Sequence, residues 1–510
     1  GRTNEPRLLT YADRCGTEGV VTAQTRRETK RIHKVHATRT RKKEVAPCQM
    51  SADDGGEDMN DQIWLLHLSD IHFNKKKKDD RNLYDLDTDL RDQLEIDVGR
   101  VRDRAGRIHG IIVSGDIAFA GRECEYEVAF KWLQTLCEIS GCSPEAVFCV
   151  PGNHDVDRTV WEKSVNLKNL HNSLRPASSC LVDAELHSVL NDHEAASILF
   201  RKLEQYNRFA AKFRCSTSPS ALWWEQEIPL NDGSRLRLRG ANSTLVSDEK
   251  DNNKDRKLIL GTLQATPLQR ADEAVVFICH HPLDWVIDNE EIIPNLNARA
   301  RVQLFGHKHL QTVEHTNNCL RIVAGAVHPD RREPRWRPRY NCLGFSVSRA
   351  GSSRKLTVEV LPRVWNEHEP KFVPDYALCG GGKDSKVYNL ELEPWDAATV
   401  AKPGASGATP PAGPSPGSSA PMALGAAAGA VMNPAKTLTY RFLSLSHLSR
   451  LEIAQSMKLL RDEDEGLFDA ELFERILKRA SDESRLSELW DLVEKSHGDK
   501  AHPSNPYARS

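Results

Sequence analysis

The sequence predicts an α/β fold with a large core, followed by a small all-α domain. Strands and helices alternate over residues 62–155, as IWLLHLS, a helix near 86–104, GIIVSGD, a helix near 125–138, and VFCVPGNHD. This alternation is typical of βαβαβ units with right-handed crossovers. Residues 235–365 add strands such as NCLGFSVS and KLTVEVLPRVW, whereas residues 437–500 show only helical periodicity.

Five short polar blocks follow five of the β-type runs in a fixed order. They are SDIHF with Asp70 and His72, SGDIAFAG with Asp116, PGNHD with Asn153, His154 and Asp155, ICHHP with His280 and His281, and FGHKH with His307 and His309. Because open α/β sheets present the residues after their strands at one edge, we expect the blocks to converge on one site. Carboxylates, imidazoles and one amide oxygen are suitable ligands for a two-metal centre.

In these blocks the sequence resembles the calcineurin-like metallophosphoesterases, whose pattern is D-x-H, GD, GNH(D/E), H and GH-x-H. The segment GDIAFAG…YEVAFKWLQTL is most similar to their bacterial cyclic-nucleotide phosphodiesterase branch. The resemblance covers about residues 62–365. It implies a four-layer αββα metallophosphoesterase sandwich of two mixed sheets flanked by helices.

The resemblance also implies a dinuclear centre that binds two divalent metal ions. The implied ligands suit Mn, Fe, Zn or Ni. The implied ligands are Asp70, His72 and His309 for the first ion, Asn153, His280 and His307 for the second, and Asp116 between the two. His280 is preferred to His281 because Pro282 completes an H-x-P pattern. His154 would not bind a metal but would stabilise or protonate the leaving oxygen.

The chemistry of phosphodiester hydrolysis requires such residues. Two divalent ions about 3.5–4 Å apart neutralise the anionic substrate and lower the pKa of a bridging water. An imidazole ionises near neutral pH and suits the proton transfer to a leaving alkoxide. We therefore predict a hydrolase that attacks phosphorus in line with a metal-bridging hydroxide, and the resemblance implies that its substrate is a cyclic nucleotide or similar phosphodiester. Asp116 and His154 are its candidate catalytic residues.

Two other functions stay open. A metal-dependent nuclease is one, because DNA-repair nucleases share the same blocks, and its strand binding would weaken steeply with ionic strength. A nucleotide-sensing adaptor protein is the other, although the complete ligand set argues against it. Single histidines at strand ends more often have structural roles, and we interpret His67, His109, His281 and His328 in this way. Of these four, we expect His281 and His328 to lie beside the ligands.

Two basic clusters lie near the blocks. Lys75–Lys78 follow the first block and would steer a polyanion towards the metals. The run DRREPRWRPRY would bind phosphate and stack on a base through Arg331, Arg332, Arg335, Trp336 and Arg337. Ordinary solvated loops are the more common outcome of both compositions.

The composition bears on the cellular compartment of the protein and on its possible partners. The net charge of −2 gives no overall bias towards nucleic acid or membranes. No apolar stretch is long enough for a membrane span, and the basic first residues lack the apolar segment of a secretory signal. The twelve cysteines are scattered without a C-x-x-C pair, so reduced thiols in the cytoplasm are the simplest interpretation.

The chain divides into four segments. Residues 1–60 form a basic segment without hydrophobic periodicity, expected to be a disordered leader, a nucleic-acid arm, or sequence preceding initiation at Met50 or Met59. Residues 61–396 form the phosphoesterase-like domain, with a helical insertion at 157–225 that either caps the site or is peripheral. Residues 397–436 are a Pro/Gly/Ala/Ser linker.

Residues 437–500 form the predicted all-α unit. Ser449 and Glu452 indicate a capping box for one helix, Asp469 an N-cap for a second, and Leu486 and Trp490 lie on the apolar face of a third. The unit resembles the small adaptor domains of bacterial conflict-system effectors. The resemblance implies recruitment of a protein partner by helix association in bacterial defence, and the alternative is a bundle that aids oligomerisation.

Overall fold

The fold is that of a computed structural model, which describes residues 62–74, 86–175, 178–248, 251, 258–316, 318–329, 337–351, 353–395, 433–498 and 504–508. Several predicted features lie outside the described residues, namely the leader 1–60, Lys75–Lys78, most of the linker, and Arg331, Arg332, Arg335 and Trp336. Arg337 is described and is exposed.

The elements follow one another in three groups. The first runs β1 (Ile63–Leu68), α1 (Leu86–Ala105), β2 (Gly110–Val113), α2 (Glu123–Ser140), β3 (Val147–Cys149), α3 (Arg158–Lys163), α4 (Val165–Leu174), α5 (Val182–Asn191), α6 (His193–Phe200) and α7 (Glu204–Ala210). The second runs β4 (Trp223–Pro229), β5 (Arg235–Ala241), α8 (Thr262–Ala265), β6 (Glu273–Cys279), α9 (Asn289–Arg299), β7 (Val302–Phe305), β8 (Thr312–Thr316), β9 (Cys319–Val323), β10 (Arg339–Ala350), β11 (Ser353–Asn366), β12 (Lys371–Pro374), α10 (Tyr376–Cys379) and β13 (Lys386–Leu392). The third is the C-terminal helical unit, with α11 (Pro434–Ser444), α12 (His447–Ser456), α13 (Asp469–Asp482) and α14 (Leu486–His497).

Two mixed sheets form the α/β part, as predicted. The first has the order β12-β11-β10-β1-β2-β3, with β13 also paired to β11, and the second has the order β4-β5-β6-β7-β9-β8. Strands β1, β2 and β3 are parallel, and so are β5, β6, β7 and β9. The sequence blocks therefore follow neighbouring parallel strands and lie at the carboxyl edges of both sheets.

Uninterrupted apolar runs explain why the central strands form where they do. Strand β6 reads EAVVFIC, and every residue in it is buried. Such continuous burial is typical of parallel strands covered on both faces. Leu65 and Ile111 of the first sheet share one core with Phe277 and Leu304 of the second, so the two sheets pack as a sandwich.

The insertion after PGNHD is mostly helical, as predicted, and its last helix belongs to the core. Tyr206 of α7 is fully buried, and its hydroxyl donates to the carbonyl oxygen of Cys149 at 3.1 Å. The ring of Phe209 stacks on that of Tyr126 at 5.1 Å. Helix α7 therefore supports β3, the strand that leads into the PGNHD block.

Two predicted helix starts in the C-terminal unit are wrong. Ser446, not Ser449, caps α12, because its hydroxyl accepts a hydrogen bond from the Ser449 backbone N–H at 3.1 Å. Asp469 is the first residue of α13 rather than its cap, and the preceding Phe468 makes no side-chain capping bond. The third predicted helix is confirmed as α14.

Helix α11 was not predicted and begins at Pro434, within the expected linker. Asn433 caps it by accepting from the backbone N–H groups of Ala435 and Lys436, and proline is favourable at the first helical position. Sequence periodicity alone did not reveal this helix, because its buried face includes Lys436 and Thr437.

The buried face of α11 packs against the α/β domain. The ammonium group of Lys436 lies 3.9 Å from the ring centroid of Phe148 in β3, and burial lowers the pKa of Lys436 to about 8. Thr437 donates to the Glu145 carboxylate at 2.6 Å. The C-terminal unit is thus attached to the strand that precedes the PGNHD block.

Tyr440 forms the second part of this contact. Its ring lies 6.0 Å from those of both Phe130 and Phe213, and its hydroxyl accepts a hydrogen bond from Gln134 at 2.9 Å. Because Tyr440 is only 8% exposed, its ring is a component of the main core.

Two further properties concern the described residues only. No helix among them is both long and apolar enough to cross a membrane. Their ten cysteines are all free thiols.

We predict that Tyr440→Ala lowers the free energy of unfolding by about 3 kcal/mol, because it leaves a cavity between Phe130 and Phe213. Tyr440→Phe should cost only about 1 kcal/mol, since it removes one hydrogen bond. Urea unfolding followed by circular dichroism would measure both changes. The control is Leu448→Ala, because Leu448 is 71% exposed in the same helical unit and should change stability by less than about 0.5 kcal/mol. Equal stability of Tyr440→Ala and the unmodified protein would contradict the packing described.

Candidate metal centre

The five polar blocks come together in one cluster at the carboxyl edges of the two sheets. Four groups of aspartate and histidine side chains have ligand atoms within 4.8 Å of one another, and Asp116 belongs to two of these groups. The groups are Asp70, His72 and His309; Asp70, Asp116 and His280; His72, Asp116 and His154; and His280, His281 and His307.

Five of the seven predicted ligands have a left-handed backbone conformation. Their φ angles are 53° at Asp70, 52° at His72, 53° at Asp116, 70° at His307 and 54° at His309. Such a conformation costs on the order of 1–2 kcal/mol for a residue with a Cβ. Backbone strain of this kind clusters at functional sites, where the surrounding fold enforces it. Five of the nine described non-glycine residues with a positive φ are predicted ligands, so this strain is concentrated at the predicted site.

Glycines in the blocks let the strand ends approach the carboxylates. A Cβ added at Gly152 would collide with the Asp116 carboxylate, and one at Gly306 would collide with the Ser69 hydroxyl. The residue types of PGNHD and FGHKH are therefore set by close packing as well as by ligand chemistry.

Asp116 lies at the centre of the cluster and is 1% exposed. Its Oδ2 lies 3.3 Å from Nε2 of His280 and 4.0 Å from Nε2 of His72, and its Oδ1 accepts from the backbone N–H of His154 at 2.8 Å. Burial alone would raise the pKa of Asp116. The nearby imidazoles, His280 above all, have the larger opposite effect, and the pKa lies well below the ordinary value. The carboxylate is therefore ionised and faces both groups of predicted ligands.

Asp70 organises the first predicted ligand group. It is fully buried, its Oδ1 lies 3.3 Å from Nε2 of His309, and its Oδ2 accepts from the backbone N–H of His307 at 3.1 Å. The contact of Oδ1 with the His309 imidazole gives the first predicted group a carboxylate and a histidine side by side. Burial lowers the pKa of His72 to about 4, which favours the neutral imidazole that binds metals.

His280 and Asn153 organise the second group. Nδ1 of His280 donates to the carbonyl oxygen of Ser114 at 2.8 Å, which leaves Nε2 facing Asp116 and the Asn153 Oδ1, the latter at 3.3 Å. Burial lowers the pKa of His280 and Asp116 raises it, with a net value of about 9. The ring of His307 lies edge-on to Trp285, with centroids 4.0 Å apart.

His281 is the alternative to His280. It is fully buried, its Nδ1 lies 2.8 Å from the Ser243 hydroxyl, and its ring centroid lies 4.5 Å from that of His307. Its Nε2 has no hydrogen-bond partner among the described residues. His280, however, is the one that contacts Asp116 and Asn153, and the choice between the two histidines stays a prediction.

His154 stands beside the ligands with its ring held in place. Its Nδ1 lies 2.8 Å from the carbonyl oxygen of Phe119. Because a carbonyl oxygen only accepts, Nδ1 carries the proton and Nε2 is the other, available nitrogen. The His154 and His72 ring centroids are 4.6 Å apart, so His154 borders the first ligand group.

The donor set fits two divalent cations of hard to borderline character. It combines two carboxylates, one amide oxygen and four imidazoles, with Asp116 facing both groups. The assignment of each ligand stays a prediction.

Sequence reasoning missed the role of Asp155. This carboxylate is fully buried and accepts from the backbone N–H of Ala118 at 2.9 Å, from that of Gly152 at 2.9 Å, and from the Tyr126 hydroxyl at 2.9 Å. Burial, followed by the charge of Asp116, raises its pKa to about 6. Asp155 joins the loop of Asp116 to that of His154, and its place in PGNHD was the only available signal.

Of the histidines interpreted as structural, His67 and His109 make hydrogen bonds through the imidazole, and His328 makes one through its backbone. Nε2 of His67 lies 3.0 Å from the Ser114 hydroxyl, and Nδ1 of His109 accepts from the backbone N–H of Trp64 at 3.1 Å. The backbone N–H of His328 donates to the carbonyl oxygen of Asp70 at 3.0 Å.

We predict that His280→Gln reduces bound Mn²⁺ from about two ions per chain to about one, whereas His281→Gln leaves about two. The reason is that only His280 faces Asp116 and Asn153. Elemental analysis after gel filtration would measure the metal content, with the exposed His368→Gln as the matched control. Loss of an ion in His281→Gln alone would reverse the assignment.

Comparison with known proteins agrees with this geometry. The calcineurin-like phosphoesterase family matches residues 63–325, and the GTPase-associated adaptor domain matches residues 435–495. No functionally curated protein matches the sequence.

Solved structures with similarity to the chain include three examples. A predicted phosphoesterase from Streptococcus pneumoniae TIGR4 is 12% identical, with 64% of this chain and 98% of that chain covered and a TM-score of 0.23. Vps29 from Chaetomium thermophilum is 9% identical, with 65% and 99% covered and a TM-score of 0.24. The purple acid phosphatase PPD1 from yellow lupin (Lupinus luteus) seeds is 12% identical, with 68% and 57% covered and a TM-score of 0.32.

The family match spans all five polar blocks, and it covers more than half of the 510 residues. The chain therefore belongs to the calcineurin-like phosphoesterase family, with a GTPase-associated adaptor domain over residues 435–495.

Proposed function

We propose that the protein is a metal-dependent phosphodiesterase whose substrate is a cyclic nucleotide or a similar small diester. One observation carries the proposal above all others: the buried Asp116 faces both proposed ligand groups, and His154, whose backbone N–H donates to its carboxylate, stands beside them. This arrangement provides metal ligands and a separate proton donor, which are the two requirements of phosphodiester hydrolysis.

The ligands proposed for the first ion are Asp70, His72 and His309, those for the second are Asn153, His280 and His307, and Asp116 serves both. Bound divalent ions, whether Mn, Fe, Zn or Ni, would supply charge neutralisation and a water of lowered pKa. The buried Asp116 sets the spacing of the two groups, because its carboxylate is fixed by the backbone N–H of His154.

His154 has the position required to protonate the leaving oxygen. The carbonyl oxygen of Phe119 holds its Nδ1–H, so that Nε2 is directed away from this bond. A group oriented by a hydrogen bond on one ring nitrogen transfers a proton through the other. Because the backbone N–H of the same residue anchors Asp116, the proton donor and the central carboxylate keep a fixed separation.

The adaptor domain is proposed to recruit a protein partner that carries a similar helical domain, in the setting of bacterial defence. Helix α11 is occupied by its contact with the phosphoesterase domain. Helix α13 also contacts that domain, since Asp469 lies 3.5 Å from Arg208, so α12 and α14 are the helices proposed to meet a partner. Leu448 of α12 is 71% exposed and is one apolar side chain that such a partner would cover.

We expect the Mn²⁺-loaded protein to hydrolyse bis(p-nitrophenyl) phosphate, and Asp116→Asn to lose at least about 10³-fold of this activity, because the variant loses the carboxylate that serves both groups. Release of p-nitrophenolate measures the rate. Circular dichroism must show that the variant is folded. Absence of activity with every divalent ion would refute the phosphodiesterase and favour the nucleotide-sensing alternative.

We predict that His154→Ala retains both metal ions and lowers turnover by about 10²–10⁴-fold. Metal content and turnover are measured on the same preparation, so that the two effects are separated. His67→Ala is a poor control because His67 is buried, and His368→Ala serves better because His368 is exposed. Loss of metal from His154→Ala would make His154 a ligand and remove its proposed role as acid.

A further inference from the structure

Phe119 is a large aromatic side chain that is 49% exposed, three residues after Asp116. Its backbone is firmly held, because its N–H donates to the carbonyl oxygen of Phe73 at 3.0 Å and its own carbonyl oxygen holds His154. The exposure of the ring is therefore imposed by the fold and is not the result of a free loop.

The phenyl ring of Phe119 borders the candidate metal centre. Its centroid lies 5.5 Å from that of His154, with an angle of 43° between the rings, and 6.3 Å from that of His72. The ring thus flanks the proposed proton donor, on the side where the leaving group of the substrate would lie.

A second exposed apolar side chain accompanies the same ligand group. Leu310, which directly follows His309, is 53% exposed. His309 and His72 have ring centroids 6.0 Å apart, so Leu310 follows one of two neighbouring histidines in the chain and the ring of Phe119 lies near the other. Leaving both side chains in water forgoes the free energy of their burial, and a substrate with an apolar face would recover it.

Resting on the proposed function, we infer that Phe119 is a specificity-determining residue that stacks on the nucleobase of the substrate. A planar base fits an exposed phenyl ring better than an alkyl ester does, because stacking uses the whole face of both groups. In a 3′,5′-cyclic nucleotide, the leaving 3′ oxygen and the base belong to the same ribose. Phe119 and His154 are correspondingly adjacent.

Binding of two product-like phosphates tests the inference without relying on turnover. Adenosine 5′-monophosphate and ribose 5-phosphate share the phosphoryl group and the ribose, and only the former has a base. The Mn²⁺-loaded protein should bind adenosine 5′-monophosphate about tenfold more tightly in calorimetric titration. Phe119→Ala should abolish this preference, and Phe119→Trp should keep it.

Ile96→Ala is the matched control, because Ile96 is also 49% exposed but lies on α1, outside the sheets. It should leave the preference unchanged. Equal binding of the two phosphates by the unmodified protein, or a preference that survives in Phe119→Ala, would overturn the inference. Either result is separable from failure of the proposed function, which is judged by hydrolysis of bis(p-nitrophenyl) phosphate. A base preference lost in Phe119→Ala would support base recognition even in a protein that fails to hydrolyse the diester.

Discussion

The burial of two ionised carboxylates at the ends of β1 and β2 is the constraint on which the rest of the site depends. Asp70 and Asp116 have almost no contact with solvent. A buried carboxylate is costly unless cations or hydrogen-bond donors surround it. The imidazoles of His280 and His309 lie 3.3 Å from the two carboxylates, and backbone N–H groups of the PGNHD and FGHKH blocks supply further donors. The left-handed backbone at the ligands is strain that these contacts enforce, and it points the side chains of both sheets into one small volume.

A second layer of contacts ties this volume to the rest of the chain through β3. The Asp155 carboxylate joins the loop after β2 to the loop after β3, so the positions of Asp116 and His154 depend on one another. Behind the same strand, Tyr206 donates to the carbonyl oxygen of Cys149, and Lys436 of the adaptor domain lies over the ring of Phe148. The adaptor domain is therefore packed against the element that leads into the candidate site. The long segment before α11 separates the two domains in sequence, yet their contact is made by buried side chains.

The sequence predicted those features that depend on local pattern. Continuous apolar runs identified β1 and β6, and the polar blocks after them identified the candidate ligands, because strand ends and metal chemistry both leave a local signature. The features that it did not predict depend on distant contacts. Helix α11 escaped notice because its buried face includes Lys436, whose ammonium group is accommodated by the ring of Phe148 and the carbonyl oxygen of Val147, both far away in the chain. The start of α12 was misplaced because Ser446 and Ser449 are both plausible caps, and only the backbone conformation distinguishes them.

The difference between Asp116 and Phe119 shows why candidate metal ligands can be predicted from sequence more readily than residues that would contact a substrate. Asp116 is one of a set of polar residues whose types are restricted by metal chemistry, so the set is recognisable from residue types and their order alone. Phe119 belongs to the same block, but an aromatic residue after a strand usually indicates a core position. The Phe119 side chain is 49% exposed, and the Phe119 carbonyl oxygen fixes the orientation of the neighbouring His154 imidazole. Only these two structural observations suggest a role for the Phe119 ring towards a ligand. One short loop thus contributes a central carboxylate, the support of the His154 imidazole and an exposed aromatic surface. A substitution at Phe119 that shifts its backbone would consequently disturb His154, the proposed proton donor, whereas one that changes only the ring would leave His154 in place and alter the proposed base recognition.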